Sequence, residues 1–324
     1  MENPFLVLLR EVDRIEVITV IDNYVDVLLV SSANVTRPPN SRGEEIPTDA
    51  LLAEHGLCLL VNVYQGEETH TVLFDTGYTR LGVLHNMELL EIVPDAIEAI
   101  VLSHGHMDHT GSLYPLIKKI SNPIPLMVHP DAFLFPRYVE APDGKRLRMP
   151  RTLIRDDLAH TTVKLFETKT PTLMANDMIM VTGEVERITK FEKGMPNAFV
   201  EKNGKNEPDR ILDDQSLVIN LKGKGLVVIA GCSHAGIINT VIFSEKITGV
   251  SKIHAILGGF HLSGPVYEQI IEKTIQEFKK IAPEIIVPMH CTGWNAIHRF
   301  SQEFPSSFRL NSVGTKITLS RNLL

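Results

Sequence analysis

The stretch SHGHMDHTG, residues 103–111, decides how the rest of the chain is read. Four of its nine residues carry side chains that ligate metals: His104, His106, Asp108 and His109. The segment before it, IEAIVLS at 97–103, is mostly apolar and reads as a strand. The segment after it, SLYPLIKKI at 112–120, has the apolar spacing of a short helix. The cluster therefore sits where a buried strand turns into a helix. Imidazole nitrogen and carboxylate oxygen together suit zinc and neighbouring divalent metals. A tight loop can aim His104 and His106 at one ion while Asp108 and His109 reach a second, and catalytic pairs sit roughly 3.5–4 Å apart. The plain alternative is a histidine-rich surface turn without metal.

Three later histidines also follow apolar strands: His234 after LVVIAGCS, His261 after AILGGF and His290 after IIVPM. A buried strand delivers its end residues to a sheet edge, where open α/β-type folds place ligands. Together with the first cluster, these coincidences suggest one shared site. For any single one of them, a core histidine satisfied by backbone partners is the competing reading.

The run His104-Gly-His-Met-Asp-His109 resembles the signature of the metallo-β-lactamase superfamily, and LFDTG at 73–77 resembles the Asp motif that precedes it. With GCSHAGIINT at 231–240, GGFHL at 258–262 and MHCTGW at 289–294, the chain resembles one branch more closely. That branch comprises the 7,8-dihydropterin-6-methyl-4-(β-D-ribofuranosyl)aminobenzene-5′-phosphate synthase-like proteins. The resemblance runs from about Glu16 onward. It implies an α/β fold: an αββα sandwich of two packed sheets with helices on both outer faces and the metal site at one edge. One or two divalent ions are expected, zinc foremost, with iron or manganese open.

The assignment that follows gives His104, His106 and His234 to the first ion and Asp108, His109 and His290 to the second. Asp108 is then the catalytic residue, both a ligand and the orienter of a metal-bound hydroxide. Asp75 reads either as an ordinary helix cap or, as the resemblance implies, as an outer carboxylate that steadies the metal loop. The superfamily often places a bridging Asp in a T-G-D context, whereas this chain has Ala230-Gly231-Cys232. Cys232 is a soft ligand or a small buried residue. His261 is a further candidate for the metal or the pocket, and His55, in AEHGL, for the pocket rim. Cys291 reads as packing. His129, His160, His254 and His298 read as structural or surface residues.

The bulk numbers suit an ordinary soluble globular protein, with 44% hydrophobic and 22% charged residues over 324 positions. The chain reads as a single domain, 1–324. A formal net charge of −7 argues against a nucleic-acid binder with a global positive field. Three cysteines do not make a disulfide framework, so a reducing cytoplasm is the expected compartment. The opening MENPFLVLLREVDR lacks the basic segment of a secretory signal, and no stretch reaches the ~20 apolar residues of a membrane span.

The runs 57–64 and 69–74, separated by Gln65-Gly66-Glu67-Glu68, predict a hairpin, and 216–221 with 225–230 predict another. Residues 25–30 read as a strand or short helix, 266–282 as an amphipathic helix and 311–319 as closing strands. Between about 130 and 214 the pattern weakens. A structureless loop that long is improbable in a compact domain, so this is expected to be an insertion with its own strands, covering the site. It carries Arg187, Lys190 and Lys193, candidates for holding an anionic small-molecule substrate. No Walker-type phosphate loop is present.

Three functions are carried forward. The first is a metal-dependent enzyme of this superfamily: the resemblance points to pterin transfer with release of pyrophosphate, and a hydrolase of a phosphorylated or ester substrate is the alternative. The second is a lactamase or lactonase proper, against which the branch-specific segments argue. The third is a metal-binding sensor or redox protein without hydrolytic turnover.

Overall fold

The hairpin expected at 57–74 forms from Cys58–Gln65 and Glu68–Phe74, with Gly66 taking the left-handed conformation at the turn (φ 57°). Its alternation divides two cores. Leu59, Val61 and Val63 point to one side and Cys58 and Leu60 to the other, the period of two that a strand imposes. The hairpin belongs to an eight-stranded sheet. Its order is Lys164–Glu167, Pro125–Val128, Ala99–Val101, Glu68–Phe74, Cys58–Gln65, Arg14–Ile21, Lys316–Ser320 and Val35–Thr36. The computed structural model describes residues 6–39, 41, 43–141 and 143–321. The first five residues of the opening stretch lie outside these, as do residues 40 and 42 of the loop expected at 34–47, residue 142 and residues 322–324.

A second sheet of seven strands runs Thr172–Met174, Ile179–Val181, Ser216–Leu221, Gly225–Ala230, Ile253–Gly259 and Ile285–Met289, with Glu11–Val12 paired beside Ser216–Leu221. The core between the sheets takes Val17, Val61 and Val72 from the first and Leu217, Val227, Leu257 and Val287 from the second. Each such side chain contributes about 1.5–3 kcal/mol by leaving water. Helices Gly82–Leu89 and Leu113–Ile117 cover the outer face of the first sheet. Helices Ile237–Thr248, Ile271–Ile281 and Trp294–Glu303 cover the second. This is the expected αββα sandwich. Among the described residues no helix is long and apolar enough to cross a membrane.

Three local expectations change. Residues 25–30 form neither strand nor helix, because the Asp26 carboxylate accepts from Leu28 N (2.9 Å) and turns the chain locally. The helix expected over 266–282 is divided into a short turn, Glu268–Ile270, and Ile271–Ile281, and it stops where Ala282 goes left-handed (φ 49°). Of 311–319, only the segment from Lys316 is strand, in Lys316–Ser320.

The stretch 130–214 is shared out. Arg137–Glu140, Arg146–Arg148, Ala198–Lys202 and Lys205–Pro208 make a separate four-stranded sheet. The pieces between them extend the main sheets instead, Lys164–Glu167 in one and Thr172–Met174 with Ile179–Val181 in the other.

Parallel pairing then fixes where the site must be. Glu68–Phe74 runs parallel to Ala99–Val101, and Gly225–Ala230, Ile253–Gly259 and Ile285–Met289 run parallel to one another. Parallel neighbours end at the same edge of a sheet. The residues that leave these five ends are Asp75, the loop 102–106, the turn 231–236, His261 and His290.

Candidate metal centre

The donor atoms of the two edges converge. His104 Nε2 faces His106 Nδ1 at 3.0 Å and His234 Nε2 at 3.2 Å. Beside them, Asp108 Oδ2 lies 3.6 Å from His109 Nε2 and 3.3 Å from His290 Nε2. Ligands held 2.0–2.1 Å from one tetrahedral ion sit roughly 3.3 Å apart, and these four pair distances have that spacing. The donor atoms that all lie within 4.8 Å of one another are those of Asp108, His109, Cys232 and His290 and those of His104, Cys232 and His234, with His106 beside the second group. All six residues are buried. His290 Nε2 has no hydrogen-bond partner although it is shielded from solvent. It approaches Asp108 as two ligands of one ion do, not as donor and acceptor. The residues present thus fit a pair of divalent ions.

The electrostatics suit the same reading. Burial drives the His104 and His234 imidazoles toward the neutral form and pushes His106 down to about 3. Neutral imidazole is the form that ligates. Burial opposes the Asp108 carboxylate, but His109 and His290 more than offset it and keep the group ionised. His290 and His109 are the exceptions: burial opposes the charge of both, but Cys291 and Asp108 raise His290, and Asp75 with Asp108 lifts His109 to about 9. A cation at Nε2 would take the place of that proton.

Outer groups aim the rings. Asp75, fully buried, accepts from Ser103 N and Ser103 Oγ, both at 2.7 Å, and lies 2.6 Å from His109 Nδ1. Ser103 Oγ is also 2.9 Å from His104 Nδ1. One carboxylate therefore orients His109 directly and His104 through Ser103, each by its Nδ1, which leaves both Nε2 atoms facing the centre. On the other edge His290 Nδ1 pairs with Asn23 Oδ1 (3.0 Å), and Asp22 accepts from His290 N (2.8 Å). Asn23 Nδ2 reaches His55 Nδ1 at 3.1 Å, and His55 Nε2 stands 3.8 Å from Asp108 Oδ2. His55 lies at the exposed rim, its side chain 66% accessible.

Cys232 lies within ligand range of both halves. Its sulfur groups with Asp108, His109 and His290 on one side and with His104 and His234 on the other, 3.1 Å from His109 Nε2. This is where the sequence has Ala-Gly-Cys in place of the superfamily's bridging carboxylate. His261 holds its ring tilted against that of His234, with the centroids 4.3 Å apart.

The stretch between the sheets is pinned to the centre at two points. Arg137, on the small sheet, pairs with Asp213 (2.7 Å), and Asp213 accepts from Gly105 N inside the histidine loop (2.8 Å). Glu192 accepts from Ile238 N and Asn239 N, both at 2.9 Å, at the amino end of helix Ile237–Thr248, where a carboxylate meets the positive end of the helix dipole. Lys193 follows and lines a small hollow with His234, His261 and Tyr267. Lys190 is exposed. Arg187 is turned inward, donating through Nη2 to the carbonyls of Arg210 and Ile211. His129, His254 and His298 pair with Glu184, Glu284 and Gln302 respectively, outside the cluster.

Sequence reasoning passed over Asp22, Asn23, Ser103, Arg137 and Glu192. For the first two a signal was present, because Asp-Asn directly follows the apolar strand Arg14–Ile21, as each later histidine follows its own strand. Arg137 carried no local signal.

Residues 53–189 match the family model described as the metallo-beta-lactamase superfamily. The chain is 33% identical over 265 residues to the 7,8-dihydropterin-6-methyl-4-(beta-D-ribofuranosyl)-aminobenzene-5′-phosphate synthase of Methanocaldococcus jannaschii, covering 81% of this chain and 89% of that one. An uncharacterized protein of the same organism is 32% identical, over 77% of this chain and 88% of its own length. Among solved structures, Tm1679, described as a metal-dependent hydrolase of the beta-lactamase superfamily, superposes with a TM-score of 0.70 at 26% identity, covering 94% of this chain and 99% of that one. A diphosphatase of the PhnP family shares the fold at 12% identity, with a TM-score of 0.52 over 94% of this chain and 97% of that one. The chain belongs to the metallo-β-lactamase superfamily, in the branch that resembles the M. jannaschii synthase.

Proposed function

We propose that the chain is a metal-dependent enzyme acting on a phosphorylated, ring-bearing small molecule of the pterin type, by transfer with release of pyrophosphate. The observation that carries this is the convergence of five imidazoles and one carboxylate at the edge of a chain 33% identical to a synthase of that class. A divalent pair there supplies Lewis acidity toward an anionic leaving group, or an activated water. The chain's own residues do the rest. Asp108 would help to hold an ion at the second position and orient an oxygen ligand beside it. His55, at the rim beside Asp108, is suited to exchange a proton with a bound substrate. Lys193 sits at the mouth near His261, where it would meet phosphate.

Hydrolysis is the second reading, favoured by the similarity to Tm1679 over nearly the whole of both chains. One assay separates the two: the metal-loaded protein is given a dihydropterin methyl pyrophosphate with and without a ribofuranosylaminobenzene phosphate. Transfer requires both substrates and yields a joined product. Pyrophosphate or phosphate release that ignores the second substrate establishes hydrolysis.

Metal dependence is checked on the same samples. His290→Ala should lower metal content and abolish turnover, and His298→Ala, on the exposed helix, should do neither. Equal, mild effects from both would remove the second metal position.

A further inference from the structure

Behind the histidine cluster, three adjacent parallel strands end in two thiols and an imidazole. Cys232 follows Gly225–Ala230, His261 follows Ile253–Gly259 and Cys291 follows Ile285–Met289. One donor atom from each lies within 4.8 Å of the other two. Both cysteines are buried. Neither ring nitrogen of His261 has a hydrogen-bond partner, though both are shielded from solvent. Buried polar atoms without partners are uncommon and call for an explanation.

The backbone also makes an unusual allowance for this cluster. His261 is held left-handed (φ 47°), a conformation that costs a side chain energy and persists where the surroundings enforce it. Its ring is fixed between those of His234 and Tyr267, with both centroid distances 4.3 Å. A Cβ on Gly259 would lie 2.5 Å from Gly231 O and 2.6 Å from Cys291 Sγ, so the strand end leaves room both for the neighbouring turn and for that sulfur. The remaining cysteine, Cys58, is packed among apolar side chains of the other core.

We infer that Cys232, His261 and Cys291 form a third cation position, thiolate-rich, which takes a thiophilic divalent ion of the zinc type and shares Cys232 with the paired centre. Two sulfurs and one imidazole are a soft set that suits zinc more than magnesium or manganese. On binding, each thiol gives its proton to solvent and an S–H bond is replaced by a sulfur–metal bond, so two protons leave per ion. Tyr267 and His234 flank the imidazole and hold the donors in place. This position rests on the strand ends and is independent of the transferase or hydrolase reading.

The test is a cobalt(II) titration of the reduced, metal-stripped full chain, followed by metal analysis and near-ultraviolet absorption, where thiolate-to-cobalt charge transfer is seen. Cys291→Ser and His261→Ala should each bind one ion fewer per chain than the unsubstituted protein, and Cys291→Ser should lose part of the thiolate absorption. Cys58→Ser should leave both unchanged. His261→Ala, read by stoichiometry alone, carries the test if Cys291→Ser does not fold. Unaltered stoichiometry in both variants overturns the proposal and leaves the paired centre standing. A chain that binds no cobalt at all overturns both.

Discussion

The edge of the eight-stranded sheet presents His104, His106, Asp108 and His109 from one loop, whereas the edge of the seven-stranded sheet presents His234, His261 and His290 singly, from the turns after three parallel strands. The two edges are also held differently. The loop is clamped by side chains: Asp75 gathers Ser103 and His109, and Asp213 grips Gly105. The turns add backbone fit to side-chain contacts: Asp22 and Asn23 hold His290, and Asp214 accepts from Ala235 N. Ser233, His261 and His290 are all left-handed, with φ of 58°, 47° and 52°. Gly258 packs so closely that a Cβ there would sit 2.0 Å from Ala230 O. A cluster of ligands in one loop needs outer carboxylates to aim them, because neighbouring residues cannot all be positioned by one backbone path. Ligands taken one per strand inherit much of their aim from the sheet, and His290 takes the rest from Asp22 and Asn23.

The sharpest test of this difference is Asp75→Ala. It leaves Ser103 N, Ser103 Oγ and His109 Nδ1 without their carboxylate in a fully buried spot, at a cost of roughly 3–5 kcal/mol. Thermal unfolding and metal analysis should both register it. Full metal content in the variant would mean that the loop is held by its own backbone.

Next in size is Gly258→Ala. With φ at 121° and no room for the methyl, it should cost about 2–3 kcal/mol by denaturant unfolding. Gly223→Ala, in a hairpin turn with open space around it, should cost only about 1–2 kcal/mol. Equal losses would show that conformation alone, and not close approach at the site, sets the requirement for glycine.

The small sheet's grip on the loop is legible in acid. Burial opposes the Asp213 carboxylate, but Arg137 overrides it and brings the group down to about 2, below its unfolded value of about 3.9. A lowered carboxylate contributes stability that is present above the unfolded value and is lost as pH falls through the folded one. About 2–3 kcal/mol should therefore disappear between roughly pH 4 and pH 2. Asp213→Asn should flatten that part of the stability–pH curve. An unchanged acid limb would assign the loss to other carboxylates.

The smallest expected effect is that of Asn23→Ala, which removes the partner of His290 Nδ1 but leaves the ring on its strand end. Loss of such an outer group costs about 10–100-fold in metal affinity. A competition titration should find it confined to the second position. Loss at the first position as well would couple the two edges more tightly than their geometry implies.

Much of this was readable in one dimension. The HxHxDH loop, both hairpins and the strand-then-histidine pattern are local, because ligand spacing and the period of two are properties of short segments. The αββα layering was implied by the family resemblance. Other features depended on residues far apart in the chain. Asn23 meets His290 across 267 positions and Arg137 meets Asp213 across 76, and no short-range pattern reports such pairs. Arg187 had only its charge to show in sequence, but its place in the fold turns it toward the carbonyls of Arg210 and Ile211. Cys232, His261 and Cys291 gave no combined signal either, since their nearness comes from the parallel register of three strands. Sequence determined which residue types stand at the strand ends. Tertiary structure alone decided which ends meet, because sheet pairing and the facing of two sheets are set by burial summed over the whole core.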